Sequence, residues 1–329
     1  MLGKDFTMKH TRSFFLLSAL ALASLSACGP KEKTIAIVQL MTHTSLNEIN
    51  AAVTKTINDA KLSGYRIVQS NPEADMSLLS QSIAQFSETA DILVAITTPV
   101  AQAAFNKMPS SKPIVFAACS DPVGAGLVTN LEKPGGNITG TSDAIQVESI
   151  LDKALLIDPE LDQLGFIYNP AEANSVSNKA KIEKYCEDND IQLISSTIAS
   201  SGEMSEVANV LCSKVDAIFV TDDNTVASAM TPLSDAARKA RIPCYTGVDS
   251  MVRDGGMFCL GINYDELGKK TGEMVISIAN GTNPGDIPVK IFNENLHLYL
   301  NTDYVDDIGI TIPDAILNDP LLVRIRDAK

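Results

Sequence analysis

Apolar residues fall along this chain in short unbroken runs separated by stretches of helical periodicity, and the two alternate. Thr34 to Leu40, Tyr65 to Gln69, Asp91 to Ile96 and Ile114 to Ala118 are runs of strand length. The continuous ones suit strands buried on both faces. Between them, Leu46, Ile49, Val53 and Ile57 form one stripe of a helix, and Ser45 with Glu48 three residues on has the spacing of a capping box. A second helix is expected over Asp75 to Glu88, with Leu78, Leu79, Ile83 and Phe86 inward. A third opens at Thr97-Thr98-Pro99, with proline in its favoured first turn. Strands alternating with helices predict parallel sheet and right-handed crossovers.

The stretch from Pro113 to Asp143 reads as the end of one such unit and the crossing into another. Pro122 disfavours helix at Asp121, and Pro134-Gly135-Gly136 makes a second break before the β-prone Asn137 to Thr141. Beyond it the pattern restarts. Helices are expected over Gln146–Ile157, Asn174–Asp188, Met204–Cys212, Val226–Ala240 and Glu266–Ala279. Strands are expected at Leu164–Tyr168, Ile191–Ser196, Asp216–Val220, Pro243–Thr246 and Gly256–Ile262, and Pro284 to Phe292, Leu296 to Leu300 and the tail are expected to bring the chain back across both lobes.

The expected fold class is therefore α/β, with two Rossmann-like lobes of parallel sheet joined by a multi-strand hinge. Lobe 1 takes 34–142 plus about 263–292. Lobe 2 takes 143–262 plus about 293–329.

The N-terminus departs from this pattern. Lys4, Lys9 and Arg12 precede an apolar run through Leu25 that is too short for a membrane span and reads as a signal peptide over 1–27. It ends in Leu25-Ser26-Ala27-Cys28, which resembles the lipobox of bacterial lipoproteins. That resemblance implies cleavage before Cys28, lipid on its thiol, and a tether over 28–33. The protein is then expected at the cell envelope, extracytoplasmic and anchored through Cys28, on the periplasmic side in a Gram-negative cell.

Charge narrows the partners. The chain carries −14, about −16 once residues 1–27 are removed, and has no tryptophan. Nucleic acid is excluded as a partner for want of a positive footprint. Five cysteines besides Cys28 (119, 186, 212, 244, 259) include no C-x-x-C and fall mostly in predicted elements, so buried thiols are expected. His43 and His297 have no metal-like spacing, and neither a P-loop, a G-x-G-x-x-G nor a G-x-S-x-G elbow is present. No metal, cofactor or catalytic group is expected, and an enzyme such as a secreted hydrolase is the losing reading.

Ligands of parallel α/β sheets bind beyond the carboxyl ends of the strands, so the strand tips are the candidate site. Lobe 1 offers Met41, Thr42, His43, Thr97, Thr98, Ser120 and Asp121. Lobe 2 offers Tyr168, Asn169, Asn174, Asp222, Asp223, Asn224 and Asp249. Hydroxyls and free N–H groups at a helix start suit a carboxylate, and carboxylates and amides suit an ammonium. Thr98 and Ser120 are expected to hold the carboxylate of an amino acid and Asp223 or Asp249 its ammonium. Met41, His43 and Tyr168 would then wall its side chain. Each polar tip residue could equally cap its own helix.

Several blocks carry a family resemblance. Phe116-Ala117-Ala118, Ser120-Asp121-Pro122-Val123-Gly124-Ala125-Gly126-Leu127-Val128 and Lys133-Pro134-Gly135-Gly136-Asn137-Ile138-Thr139-Gly140 resemble the signature of bacterial ABC-transporter substrate-binding lipoproteins, which include the TrpX-type tryptophan/tyrosine-binding proteins. The segments 164–175 and 216–224 are similar to two further blocks. The resemblance implies a type I periplasmic-binding-protein fold with three hinge crossings, no cofactor, and ABC permease and ATPase subunits as partners. It points to an amino acid as ligand, aromatic ones included. A ligand-sensing receptor partnered with a membrane signalling protein would use the same cleft. The related repressor use of the fold is excluded by the signal peptide and the missing basic head.

Overall fold

The computed structural model describes residues 32–294 and 296–327. The signal peptide read over 1–27, Cys28 and most of the tether lie outside the described residues.

Apolar runs become parallel strands. In the first lobe β1 (Lys33–Gln39), β2 (Tyr65–Ser70), β3 (Ile92–Ile96), β4 (Ile114–Ala117) and β5 (Ile138–Ser142) alternate with α1 (Thr44–Asp59), α2 (Met76–Thr89) and α3 (Thr98–Lys107). Every residue of β3, β4 and β5 is buried, as expected of strands covered on both faces. The second lobe begins with α4 (Val147–Ile157), β6 (Gln163–Tyr168), α5 (Ala173–Asp188), β7 (Gln192–Thr197), α6 (Met204–Cys212) and β8 (Ala217–Val220). It continues through α7 (Asn224–Ala227), α8 (Met230–Ala240), β9 (Cys244–Thr246), α9 (Asp249–Arg253) and β10 (Phe258–Gly261). The chain then returns to the first lobe as α10 (Tyr264–Ala279) and β11 (Lys290–Ile291). It ends in the second as β12 (His297–Asn301), α11 (Thr302–Ile308), α12 (Asp314–Leu317) and β13 (Leu322–Ile325).

Two sheets result, ordered β11-β5-β4-β3-β1-β2 and β13-β12-β10-β9-β8-β6-β7. Only β10 with β12 pairs antiparallel among the described residues. The chain crosses between sheets after β5, after β10 and after β11.

Local chemistry explains where the elements depart from the sequence reading. The helix expected over Val226–Ala240 is two helices, because Pro232 has no N–H for the Ser228 carbonyl and its ring would strike it. In the returning segment Pro284 to Phe292 only Lys290–Ile291 is strand, since Pro284 starts a short 3-10 turn and neither it nor Pro288 can donate to a ladder. Leu78, read as inward, is 48% exposed, and Asp75 caps α2 by accepting from the Ser77 and Leu78 N–H groups. The five cysteines beyond Cys28 are buried free thiols.

The return of α10 depends on two missing side chains. A Cβ at Gly268 would lie 2.7 Å from both the Ala52 Cβ and the Ile49 carbonyl oxygen of α1. One at Gly272 would lie 2.7 Å from the Thr56 Cβ. The helices thus meet almost backbone to backbone, and a lobe-1 helix is held between two crossings. Gly268→Val should cost about 1–3 kcal/mol through overpacking. The check is a lower urea midpoint with an unchanged m-value.

Candidate ligand-binding site

The carboxyl ends of the two sheets face each other across a cavity with about 360 Å³ of free space, its mouth included. Lobe 1 lines it with His43, Ser45 and Leu46 at the start of α1, Thr97 and Thr98 at the start of α3, and Ala118 after β4. Lobe 2 supplies Asn174, Asp222, Asn224 and Ala227, together with Val248 and Met251 near α9. Asp143 and Tyr264 come from two of the crossings.

Backbone strain gathers at this cavity. Thr97 has φ 92° and Ala118 φ 53°, at the tips of adjacent strands. A β-branched residue at positive φ is a genuine outlier, at a cost of order 1–3 kcal/mol, and persists only where its surroundings over-determine it. Three lining residues also hold buried polar atoms without a partner: His43 Nδ1, Thr97 Oγ1 and Asn174 Oδ1.

Opposing lobes bond directly around it. Ser120 donates to Asp222, and Asp121 accepts from the Ser177 hydroxyl at 2.7 Å. The Ser45 and Ser250 hydroxyls are 2.5 Å apart, and Thr44 donates to Asp254 at 3.4 Å. Arg253 reaches Glu48 at 3.0 Å. The cleft is closed. The capping box read from Ser45 and Glu48 does not form: α1 starts at Thr44, and both side chains cross to lobe 2 instead.

The electrostatic centre is a shared hydroxyl. Ser120 Oγ lies within hydrogen-bond distance of Asp222 and of Asp143 Oδ1 (3.1 Å), yet it has one proton to give. Tyr264 donates to the other oxygen of Asp143 at 3.1 Å, and Asn178 donates to Asp222 at 2.7 Å. Burial, then the charge of Asp222, pushes Asp143 up to about 7, and burial raises Asp222 as well. Two carboxylates thus share a desolvated space, an arrangement that favours a proton or an incoming cation. Beside Ser120, at the tip of the neighbouring strand β3, α3 presents the first N–H groups of a ten-residue helix, where a carboxylate is favoured. His43 is held neutral, burial pushing it down to about 4.

Of the tip residues expected at the site, the cavity brings together His43, Thr97, Thr98, Asn174, Asp222 and Asn224, with Ser120 immediately behind. The others serve the scaffold. Met41 packs on the core, and Thr42 faces outward to Glu73. Tyr168 stacks on Phe166 at 5.2 Å, and Asn169 fixes its own turn by bonding Ala171 and Thr225. Asp121 accepts from the Gly124 N–H as well as from Ser177.

Asp223 is fully buried and accepts from the Asn169 and Val226 N–H groups and the Ser175 hydroxyl, tying three elements together. Asp249 pairs with Arg253 at 2.8 Å, which leaves it satisfied on that side by a protein cation. Asp143 and Tyr264 were not among the expected residues because they lie on crossings, Tyr264 as the first residue of α10 behind its cap Asn263. The signal available for Asp143 was its place directly after β5, the strand that precedes the first crossing.

Two parallel α/β lobes closing tip to tip on one cavity define a two-lobed receptor for a small molecule. The chain belongs to the family described as ABC transporter substrate binding protein, whose pattern matches residues 34–323. It is 35% identical over 280 residues to the tyrosine-binding protein of Clostridioides difficile, covering 83% of this chain and 80% of that protein. A Streptococcus pneumonia ABC domain in complex with L-Trp superposes with TM-score 0.84 at 29% identity, covering 89% of this chain and all of that one. A ligand-free, open substrate-binding protein with adhesive properties from Clostridium difficile gives 0.67 at 32% identity, covering 90% and 100%. Similar identity with a lower score separates this closed chain from the open arrangement. Sugar-receptor neighbours at 12% identity share the fold alone.

The carboxylate pair makes closure pH-dependent. Opened to water, Asp143 returns toward the usual aspartate value near 4, whereas the closed form holds its proton to about 7. The closed form therefore binds more protons across that window, and raising the pH through it disfavours closure without ligand. His43, which burial in the closed cleft pushes down to about 4 from the ordinary 6.5, opposes this effect at lower pH. Small-angle scattering should therefore show the ligand-free protein expanding between about pH 6.5 and pH 8, and Asp222→Asn should flatten the response.

Proposed function

We propose that this protein is the receptor of an ABC importer for an aromatic amino acid. It captures the ligand outside the cytoplasm and releases it unchanged to a permease. The observation that carries this reading is the Asp143–Ser120–Asp222 cluster, two buried carboxylates contending for one hydroxyl proton in the cavity wall. An α-ammonium entering there supplies charge and three protons at once. The start of α3 with Thr98, at the neighbouring strand tip, takes the α-carboxylate. Leu46, Ala227, Val248 and Met251 offer an apolar bed for the side chain.

This moves the ammonium away from Asp223 and Asp249, since the first is saturated by three donors and the second, paired with Arg253 through one oxygen, does not line the cavity. It also moves Ser120 from the carboxylate to the ammonium side. The tyrosine-binding and tryptophan-complexed relatives support the aromatic class. Because the ligand-facing groups come from both lobes and the crossings, a bound zwitterion favours the closed form over the open one.

Titration calorimetry of the chain from residue 29 onward should show tyrosine or tryptophan binding. Asp222→Ala and Asp143→Asn should each weaken it at least tenfold, about 1.4 kcal/mol. Asp223→Asn should instead lower the melting temperature. No heat with either amino acid, or full affinity in both cavity variants, would refute the assignment.

We read Cys28 as the lipid anchor. Among the described residues no helix is long and apolar enough to cross a membrane. A Cys28→Ser chain expressed in its host should lose incorporation of labelled fatty acid and appear in the soluble fraction.

A further inference from the structure

The wall formed by the start of α1 contains a histidine whose protonated nitrogen is dictated from a distance. Glu172, buried just before α5, receives the backbone N–H groups of Asn224 and Thr225, each at 3.1 Å, and the Thr225 hydroxyl at 3.0 Å. It also receives the side-chain amide of Asn224 at 2.5 Å. A carboxylate only accepts, so the Asn224 nitrogen must face Glu172 and the amide oxygen must face away. That oxygen sits 3.3 Å from His43 Nε2. An amide oxygen also only accepts, so Nε2 carries the proton of the neutral ring. Nδ1 is left as a bare acceptor, closed off from solvent, without a partner, on the cavity wall.

We propose that His43 Nδ1 is the specificity-determining acceptor of this receptor, taking a hydrogen bond from an O–H or N–H donor on the ligand's aromatic side chain. It selects tyrosine or tryptophan against aromatic amino acids without a donor. This rests on the aromatic amino-acid reading above.

The order of the sheet gives the ligand its direction. Asp143 and Ser120 follow β5 and β4, Thr97 follows β3, and His43 follows β1, these strands being neighbours in that sequence. With strands about 4.8 Å apart, the tips of β4 and β1 are separated by roughly 10 Å, a span that an extended aromatic amino acid bridges. Its ammonium lies at one end, its carboxylate beside α3, and its ring heteroatom at His43. An apolar ring edge placed there would leave a buried acceptor unpaired, a loss a site built for a donor does not tolerate well. Glu172 and Asn224 act as positioning residues, since they set which nitrogen is bare.

The test is calorimetry of the chain from residue 29 onward with tyrosine, phenylalanine, tryptophan and 3-benzothienylalanine, in which sulfur replaces the indole N–H. The wild-type protein should bind at least one donor-bearing ligand ten or more times tighter than its donorless counterpart. His43→Leu should reduce that ratio to within about threefold. A wild-type ratio near one overturns the inference while leaving the aromatic reading intact. A ratio that survives in His43→Leu assigns the discrimination elsewhere and overturns it too. Silence from all four ligands overturns the aromatic reading, and the inference falls with it. Should His43→Leu not fold, ¹⁵N spectra of the wild-type chain decide: a proton on Nε2 with bare Nδ1 supports the inference, and a proton on Nδ1 overturns it.

Discussion

The closed form of this protein depends on a charge problem placed in its hinge. Asp143 begins the first crossing, Asp222 leads into α7 at the tip of β8, and Ser120 leaves β4, so closing the lobes forces two carboxylates against one hydroxyl. Like charges in a desolvated space repel far more strongly than in water, and the donors present, Tyr264 to Asp143 and Asn178 to Asp222, add hydrogen bonds but no positive charge. Burial therefore favours a proton on the pair, and the charge state of these two acids is tied to closure of the cleft.

The remaining geometry follows from that asymmetry. Lobe 1 presents the starts of α1 and α3, each with unused N–H groups, and lobe 2 presents acidic and amide side chains. A zwitterion is matched to both, while a simple cation satisfies only one wall. The left-handed backbone at Thr97 and Ala118 has the same logic. Strain at two adjacent tips is held by strands buried on both faces, and it turns the backbone along the cavity wall in place of continuing the strand or beginning the helix smoothly.

Much of this was legible in the residue order. Continuous apolar runs marked the buried strands, and proline and glycine marked the first crossing, because those signals act over a few residues. What lay hidden was every feature whose partner is remote in sequence. Ser45 and Glu48 have the spacing of a capping box, yet they answer to Ser250 and Arg253, about two hundred residues away. Asp222 and Asp223 are neighbours of one chemical type with opposite fates: one lines the cavity, and the other is consumed by three donors inside lobe 2. Asp143 and Tyr264 sat on crossings, where no local periodicity distinguishes a ligand contact from a connector.

That difference between adjacent aspartates also explains how a binding site can be built without weakening its lobe. Asp223, pushed up to about 8 by burial and the nearby charge of Glu172, is compensated by Asn169 after β6, Ser175 of α5 and Val226 of α7, all within lobe 2. Asp222 receives Asn178 from its own lobe, but its other bond comes from Ser120 across the cleft. A lobe whose acids are satisfied internally stays folded through the cycle, whereas acids satisfied only across the hinge couple ligand charge to lobe position. The fold therefore separates stability from cleft closure between two consecutive residues, by giving one of them partners within its own lobe and the other a partner across the cleft.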